Sequence, residues 1–312
     1  MSDLKPIIII FGPTASGKSS LAIDLAQAFN GTVINADSMQ VYKELRILTA
    51  RPSSKDMALV PHRLFGDLLS ESPCSVGQWL GLATDEIKNT WSDNRLAIVA
   101  GGTGMYVKAL REGLAAVPKI PAIINAEVRS LYKKIGGDAF LEQLSIVDPK
   151  ASKAIPANDS QRLTRALAVV RATGITLDVW QAGQAIGPSL PARFFVITIL
   201  PDRKALYIAC EERFDAMLDA GALIEVENLL SLGLDPLMPA MKAVGVSELS
   251  RYLTGEINLE NAVVSAKKAT RNLAKRQLTW LRNQVSSDYV INGFYNSNKQ
   301  DDLKKKLEKF IN

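Results

Sequence analysis

Short and almost uninterrupted apolar runs alternate with amphipathic stretches over the first third of the chain, and the alternation returns beyond its middle. The apolar runs have the composition of buried parallel strands and lie at residues 7–11, 32–36, 96–100 and 194–200. Stretches with helical spacing follow them at residues 18–29, 76–91, 105–111 and 203–219. Strands that alternate with helices predict an α/β fold, in which a parallel sheet is flanked by helices.

The alternation stops between residues 116 and 191, where helical stretches are separated by prolines and glycines. The separators are Pro118, Pro121, Gly136, Gly137, Pro149, Pro156 and Gly174. We therefore predict an all-helical insertion at residues 116–191, with a return linker at 186–191. The insertion divides a core domain made of residues 1–115 and 192–312.

One inserted helix is predicted at residues 160–173, with Ser160 as its N-cap and Leu163 on its apolar stripe. The same helix carries Arg162 and Arg165. These arginines fit a solvated face and a phosphate contact equally well.

A glycine-rich loop joins the first predicted strand to the first predicted helix. Its sequence is Gly12-Pro13-Thr14-Ala15-Ser16-Gly17-Lys18-Ser19, which fits the pattern GxxxxGK[ST]. In such a loop backbone N–H groups surround a diphosphate, the lysine adds positive charge, and the last hydroxyl can hold Mg²⁺. The positive N-terminal end of the following helix points at the same place. This context predicts a P-loop NTPase-like core.

Two other strand ends are predicted at the same edge of the sheet. The strand at residues 32–36 is followed by Asp37, and the strand at 96–100 leads into a glycine-rich turn with Thr103. That third strand lacks the terminal carboxylate with which many P-loop nucleotidases position Mg²⁺, which disfavours ATP hydrolysis for mechanical work. Asp37 also fits a plain capping role, so its chemistry stays open on the residues alone.

The formal net charge of +5 is compatible with nucleic acid, and its distribution is more informative. A predicted helix at residues 260–285 carries six basic residues against the single acid Glu260, and Lys267, Arg271 and Lys275 share one face. This pattern favours a polyanion-binding track over a solvated face. Arg213 is a candidate second clamp on the diphosphate.

Several classes of protein are excluded by composition. Cys74, Cys210 and His62 are the only cysteines and the only histidine, too few for a Cys/His zinc site. No apolar run approaches the roughly 20 residues that cross a bilayer, and the start lacks a signal-peptide pattern. We expect a cytoplasmic protein with no membrane association, acting as a monomer.

The motifs form an ordered set along the chain. Besides residues 12–19 they are Asp37-Ser38-Met39-Gln40-Val41-Tyr42, Val60-Pro61-His62, Gly101-Gly102-Thr103-Gly104-Met105-Tyr106, Gln161-Arg162-Leu163-Thr164-Arg165, and residues 270–280. Over nearly its whole length the chain resembles the bacterial tRNA dimethylallyltransferases, also called tRNA isopentenyltransferases. It departs from their pattern at Leu48, Arg63 and Val246.

The resemblance implies transfer of a dimethylallyl group from dimethylallyl diphosphate to N6 of the adenosine 3′ to the tRNA anticodon, releasing pyrophosphate with Mg²⁺. It implies that Asp37 accepts the N6 proton and that Thr103 lines the reaction channel. The P-loop with Lys18 and Ser19 would hold the diphosphate. The residues implied in contact with the anticodon stem-loop are Asp37, Ser38, Met39, Gln40, Gln161, Arg162, Leu163, Thr164 and Arg165.

Two other functions compete on the residues alone. The first is a P-loop kinase for a small molecule, with ATP in the loop and Asp37 activating a substrate hydroxyl. The second is a non-catalytic RNA-binding protein that senses a nucleotide. The basic helix disfavours the kinase, and the convergence of Asp37 and Thr103 on the phosphate loop disfavours the sensor.

Overall fold

A computed structural model describes residues 4–183, 185–186, 190–297 and 301–312. The chain forms two compact units, which we call the core unit and the insertion unit. The insertion unit is Glu112–Ser189, and the core unit comprises the residues before and after it. The insertion therefore starts at residue 112 where 116 was predicted, and the core resumes at 190 where 192 was predicted. Residues 187–189 of the predicted return linker lie outside the described residues.

The described residues form strands numbered in chain order. They are β1 (Lys5–Phe11), β2 (Gly31–Asn35), β3 (His62–Arg63), β4 (Leu96–Gly101), β5 (Leu114–Ala115), β6 (Ala185–Ile186), β7 (Ala192–Leu200) and β8 (Tyr289–Asn292). In the core unit the sheet order is β3-β2-β4-β1-β7-β8, and all neighbours are parallel. The predicted parallel α/β core is confirmed.

The helices are numbered in the same way. They are α1 (Lys18–Ala28), α2 (Ser54–Leu59), α3 (Val76–Ser92), α4 (Gly104–Glu112), α5 (Ala122–Val147), α6 (Pro149–Ala154), α7 (Ser160–Thr173), α8 (Leu177–Ala182), α9 (Arg203–Asp219), α10 (Ala222–Ser231), α11 (Val246–Leu253), α12 (Leu259–Gln284) and α13 (Asp301–Ile311). A 3₁₀ turn forms at Ala240–Lys242.

Strand β1 is the centre of the core unit, because it pairs with β4 on one side and β7 on the other. Its residues from Ile7 to Phe11 are fully buried. A strand that is covered on both faces reads as a continuous apolar run, which is how it was predicted. The register pairs Phe11 with Gly101, so β1 and β4 end level with each other and the loops after them start side by side.

Three local features differ from prediction. The passage around residues 52–63, which lies outside the predicted strands and helices, contains α2 and β3, and α2 begins with a capping box between Ser53 and Asp56. Strand β8 was not predicted, although Tyr289–Asn292 is a short β-prone run. The N-cap of α7 is Asp159, one residue before the predicted Ser160, since its carboxylate accepts the N–H of Arg162 at 3.1 Å.

The insertion unit has an apolar core between α5 and α7, formed by Phe140, Leu144, Leu163, Leu167 and their neighbours. Helix α5 is interrupted at Gly136, whose φ of 76° is left-handed, at the break predicted there. A two-residue antiparallel pair, β5 with β6, accompanies the predicted helices. Leu163 is fully buried, so its predicted contact with RNA is wrong.

Among the described residues, no helix combines the length and the apolarity that crossing a bilayer requires.

Gly101 provides a test of how closely the strand ends pass. A Cβ at this position would lie 2.1 Å from the backbone C and O of Ala36. We expect Gly101→Ala to lower the free energy of unfolding by about 2 kcal/mol or more, because backbone atoms must move apart. Urea unfolding measures this.

The matched control is Gly81→Ala in α3, where nothing lies within 4 Å of the added methyl group. This change is expected to raise the free energy of unfolding by up to about 1 kcal/mol. Equal stabilities of the two variants would contradict the close passage.

Candidate diphosphate-binding and transfer site

The P-loop bends sharply between β1 and α1. Ala15 has φ of 62° and Gly17 has φ of 94°, both in the left-handed region. Such residues let successive N–H groups face one concave site, and α1 begins directly after them with unpaired N–H groups of its own. The left-handed conformation of Ala15 lowers stability by about 1 kcal/mol. Strained residues of this kind cluster in loops that bind ligands.

The segment after β8 supports this loop. The N–H of Tyr295 donates to the C=O of Ser16 at 3.3 Å, and the Tyr295 hydroxyl donates to Asp24 at 2.5 Å. A Cβ on Gly17 would lie 2.9 Å from the Cβ of Tyr295. The glycine is therefore required for close packing as well as for its dihedral angle.

Lys18 is held inside the site. Its Nζ donates to the C=O of Pro13 at 2.7 Å. Burial lowers the pKa of Lys18 to about 8, while the charge of Asp37 opposes the shift and that of Arg213 adds to it. The ammonium group therefore lies in the electric field of both side chains.

Arg213, predicted as a second clamp from sequence, reaches the P-loop from α9. Its guanidinium donates to Thr14 Oγ1. Burial lowers the pKa of Arg213, with the charges of Cys210 and Asp37 opposing the shift. Two positive groups, Lys18 and Arg213, thus converge on one loop.

Asp37 serves as a cap and also faces the site. Its N–H donates to Asn35 Oδ1 at 2.7 Å, and its Oδ1 accepts the N–H of Met39 at 2.9 Å. Within the described part of the chain its Oδ2 accepts no hydrogen bond, and Asp37 lines the same cavity as the P-loop. One carboxylate oxygen therefore holds the turn, and the side chain also faces the cavity.

Thr103, which the resemblance places in the reaction channel, contacts the turn that carries Asp37. Its Oγ1 accepts the N–H of Ser38 at 2.9 Å and donates to the Ser38 hydroxyl at 3.3 Å, and its N–H donates to Ala36 at 3.1 Å. It does not belong to the cavity wall, whereas Gly101 does. The contacts of Thr103 hold the turn that carries Asp37 and Ser38.

A cavity of about 320 Å³ combines these groups. Its polar wall is Thr14, Ser16, Gly17, Lys18, Ser19, Asp37, Gln40, Thr49, His62 and Arg213. Its apolar wall includes Ala15, Val33, Ala50, Pro52, Phe65 and Ala209. A pocket with a cationic phosphate loop and an apolar surface suits a small diphosphate ester with a hydrocarbon group.

Two residues that were predicted to bind the diphosphate, Gly12 and Pro13, shape the P-loop and do not line the cavity. Gly12 is buried, and a Cβ there would lie 3.0 Å from Ser16 Oγ and 3.2 Å from the C=O of Ile199. Pro13 contributes the carbonyl that holds Lys18.

The residues present fit a hard divalent cation. Ser19 supplies a hydroxyl on the cavity wall, and the described residues contain no group of three or more His, Cys, Asp or Glu side chains that could hold a metal. Mg²⁺ commonly keeps several waters and is held by few protein ligands together with substrate phosphates. A serine beside a diphosphate site matches this mode.

The basic helix, α12, has acidic partners that were not predicted. Lys267 forms an ion pair with Asp215 at 2.7 Å, and Arg271 pairs with Glu211. Both acids lie on α9, outside the predicted basic helix, so two side chains of the predicted polyanion-binding track are already paired. A helix read alone does not show the charges of its neighbour.

Lys275 and Arg276 are exposed, and in the described ranges no acidic side chain lies within ion-pair distance of either. They line a shallow groove along α12 together with Asn272, Thr279, Trp280, Asn283 and Gln284. These two basic side chains remain available for a polyanion.

In the insertion unit, the predicted RNA-binding residues of α7 other than Leu163 are at least partly exposed. Gln161, Arg162 and Arg165 are exposed, and Thr164 is partly buried with its hydroxyl donating to Ser160 at 2.7 Å. Arg162 also pairs with Asp159 at 3.4 Å.

Sequence reasoning missed two residues that shape the site. Glu225 on α10 accepts the N–H groups of Arg46, Ile47 and Leu48 at 2.7, 2.7 and 2.9 Å. It thereby fixes the loop that supplies part of the apolar wall. The other is Gln277, which contacts the P-loop from α12. Both act over more than 170 residues. Gln277 belongs to the motif at residues 270–280, but the motif does not show which residues it contacts.

The parallel sheet, the P-loop and the two partly buried cations Lys18 and Arg213 define a P-loop α/β protein built for a diphosphate ligand. The sequence matches the family described as IPP transferase over residues 40–284, and that described as isopentenyl transferase over residues 5–66. The chain belongs to the IPP transferase family.

Similar proteins extend over most of the chain. A tRNA dimethylallyltransferase of Rhodospirillum centenum is 47% identical over 92% of this chain and 91% of its own length. One of Rhodospirillum rubrum is 48% identical, over 92% of this chain and 88% of its own length. The resemblance inferred from the motifs is confirmed.

Solved structures agree. A tRNA isopentenylpyrophosphate transferase of Bacillus halodurans has a TM-score of 0.70 and 30% identity, covering 98% of this chain and 96% of that one. A eukaryotic dimethylallyltransferase acting on tRNA has a TM-score of 0.80 and 25% identity, covering 98% of this chain and 79% of that one. The P-loop NTPase-like fold class is confirmed, and the kinase and sensor alternatives are not favoured.

The lowered pKa of Lys18 predicts that binding of an anion depends on pH. Below about pH 8 the ammonium is already protonated, whereas above this value the free protein must take up a proton to bind a diphosphate. We expect the advantage of the wild type over Lys18→Ala in pyrophosphate affinity to be constant below pH 8 and to shrink above it. The decrease should approach about tenfold per pH unit.

Calorimetric titration of both proteins measures this, and taking their ratio removes the titration of pyrophosphate itself. An advantage that stays constant up to about pH 10 would contradict the lowered pKa of Lys18.

Proposed function

We propose that this protein transfers the dimethylallyl group of dimethylallyl diphosphate to N6 of the adenosine 3′ to the tRNA anticodon, releasing pyrophosphate. The observation that carries the proposal is one cavity whose wall includes Lys18, Arg213 and Asp37 together with an apolar surface. Membership of the IPP transferase family supports it. The proposal includes action as a monomer in the cytoplasm.

The donor side of the reaction requires stabilisation of a departing anion. An allylic carbon develops positive charge as its bond to the diphosphate oxygen breaks, and the electron pair stays on that oxygen. Lys18, Arg213 and the N–H groups of the P-loop are placed to stabilise the pyrophosphate that forms. Mg²⁺ held by Ser19 and the phosphates would supply further positive charge when bound.

The acceptor side needs only a weak base. The N6 proton becomes acidic as the N–C bond forms, so a carboxylate can accept it in the transition state. Asp37 supplies Oδ2 for this step, since Oδ1 already accepts the N–H of Met39. The allylic carbon then gains nitrogen as it loses oxygen, and the proton goes to Asp37.

The apolar wall has two effects in this proposal. Val33, Phe65 and Pro52 offer a surface for the five-carbon group. They also exclude water, which would otherwise capture the electron-poor carbon and hydrolyse the donor.

The adenine must leave its stack to reach Asp37, which costs a few kcal/mol and less in a loop than in a duplex. Ser38, Met39 and Gln40 follow Asp37 and are partly exposed, so they are proposed contacts for the extruded nucleotide. Gln161, Arg162, Thr164 and Arg165 on α7, and Lys275 with Arg276 on α12, are proposed contacts for the anticodon stem-loop. Such phosphate contacts make binding weaker as salt rises.

A labelled-donor assay tests the proposed function. The protein is incubated with unmodified tRNA and either labelled dimethylallyl diphosphate or γ-labelled ATP. Label that enters RNA only from the isoprenoid, on the adenosine beside the anticodon, is the expected result. Transfer of phosphate to a small molecule, or no transfer with RNA still bound, would contradict it.

The Asp37→Asn variant distinguishes the proposed role of Asp37 as a proton acceptor from its role in holding the turn. The amide oxygen can still accept the N–H of Met39, whereas the proton acceptor is lost. We expect kcat to fall by about 10²–10⁴-fold with tRNA affinity nearly unchanged. Single-turnover transfer and filter binding measure the two quantities.

The control is Asp219→Asn, an exposed carboxylate at the end of α9 that does not line the cavity. It should leave both quantities unchanged. Wild-type turnover of Asp37→Asn would remove Asp37 from the mechanism.

Charge reversals on α12 distinguish its two halves. The double change Lys275→Glu and Arg276→Glu should weaken tRNA binding and flatten its salt dependence by about one unit per lost phosphate contact. Lys267→Glu places like charges beside Asp215, so it should lower stability by up to about 1 kcal/mol and leave the salt slope unchanged.

Binding measured across a salt series gives the slopes, and urea unfolding gives the stabilities. A larger change of slope for Lys267→Glu than for the double variant would place the RNA on the other half of the helix.

A further inference from the structure

Gln277 connects two loops of the site. This residue lies on the inward face of α12 and is only 8% exposed. Its Oε1 accepts the N–H of Thr14 at 2.8 Å, and its Nε2 donates to the C=O of Gly102 at 3.0 Å. A single side chain thus joins the P-loop to the turn after β4.

The turn after β4 is shaped around this amide. A Cβ on Gly102 would lie 2.3 Å from the Nε2 of Gln277. The next residue is Thr103, whose hydroxyl holds Ser38 beside Asp37. Displacement of the amide would therefore disturb both the P-loop and the turn that carries the carboxylate.

Thr14 is held from two helices. Arg213 on α9 donates to its side chain, while Gln277 on α12 accepts its backbone N–H. The ion pairs that Lys267 and Arg271 make with α9 hold the two helices together. Lys267 and Arg271 were predicted to lie on a polyanion-binding track. Their ion pairs help to set the distance between the two helices whose side chains hold Thr14.

We propose that Gln277 is a positioning residue for the donor diphosphate. It holds Thr14 so that the P-loop keeps its binding conformation, and it holds Gly102 so that the Asp37 turn stays beside the loop. Gln277 does not line the cavity, and it acts through these two backbone contacts. The inference rests on the proposed function for its place in the reaction, but its first effect is on anion binding, which is measured separately.

Loss of the Gln277 amide should weaken the affinity for the anion more than it lowers the stability of the fold. A backbone N–H left without a partner must find a new one, and the loop then samples conformations in which fewer N–H groups meet the anion. The binding-competent fraction falls, and the apparent affinity falls by the same factor.

The probe is inorganic pyrophosphate with Mg²⁺, titrated into the full chain. Gln277→Met removes both hydrogen bonds and keeps the length of the side chain. We expect the Kd for pyrophosphate to rise about tenfold or more. In the transfer assay KM for the donor should rise by a similar factor, kcat should change less, and tRNA affinity should stay within about twofold.

Gln27→Met is the control, because Gln27 is an exposed amide on α1 that lines neither the cavity nor the groove along α12. It should leave the Kd for pyrophosphate within about twofold of the wild type. Melting temperatures of all variants report on folding.

Gln277→Glu separates hydrogen bonding from packing. A buried carboxyl group has a raised pKa, and its protonated form can donate to the C=O of Gly102 as the amide does. We expect the pyrophosphate affinity of this variant, relative to the wild type, to improve as the pH falls from about 8 to about 6. Gln277→Met, which keeps the packing without an ionisable group, should show no such trend.

Two results would overturn the assignment. One is a folded Gln277→Met protein with wild-type affinity for pyrophosphate. The other is a Gln277→Glu protein whose relative affinity does not change with pH, and this variant decides the matter if Gln277→Met does not fold. A wild type that binds pyrophosphate but transfers no prenyl group would contradict the proposed function, while the pyrophosphate comparison still tests Gln277.

Discussion

The close passage of two strand ends is the constraint on which the rest of the structure depends. The N–H of Ala36 donates to the C=O of Ala100 at 2.8 Å, and the N–H of Thr103 donates back to Ala36 at 3.1 Å. Only a glycine fits at position 101, because a Cβ there would meet the backbone of Ala36. The turn that bears Asp37 is thereby fixed beside β4, whose other neighbour, β1, leads directly into the P-loop.

The site built on this edge is held by contacts within the protein. Lys18 and Arg213 are partly buried positive groups whose charges oppose each other, and burial lowers the pKa of each. Hydrogen bonds to Pro13 and Thr14 hold the two side chains in place. A diphosphate would relieve this unfavourable arrangement, and charge that is already in place need not be reorganised during the reaction.

Prediction from sequence succeeded where a signal was local. The run at Ile7–Phe11 and the pattern of residues 12–19 each specify backbone structure within a few residues, and both are confirmed in position. The assignment of an RNA contact to every residue of the motif at 161–165 failed at Leu163. A motif on a helix also includes residues that face the apolar core, and Leu163 is one of these.

Partners distant in the chain could not be predicted. The acids opposite Lys267 and Arg271 lie on another helix, and Gln277 lies 263 residues from the Thr14 that it holds. Such contacts depend on how α9 and α12 pack against each other, which no periodicity within either helix specifies. The same limit applies to Glu225 and its loop.

A crystal structure of the protein with pyrophosphate and an anticodon stem-loop RNA would show whether both substrates meet at this edge of the sheet. We expect pyrophosphate on the P-loop N–H groups, Lys18 and Arg213, with the extruded adenine between it and Asp37. The distance from N6 to the Asp37 carboxylate should be about 2.6–3.2 Å. An adenine bound elsewhere, or an Asp37 carboxylate turned away from N6, would contradict the account.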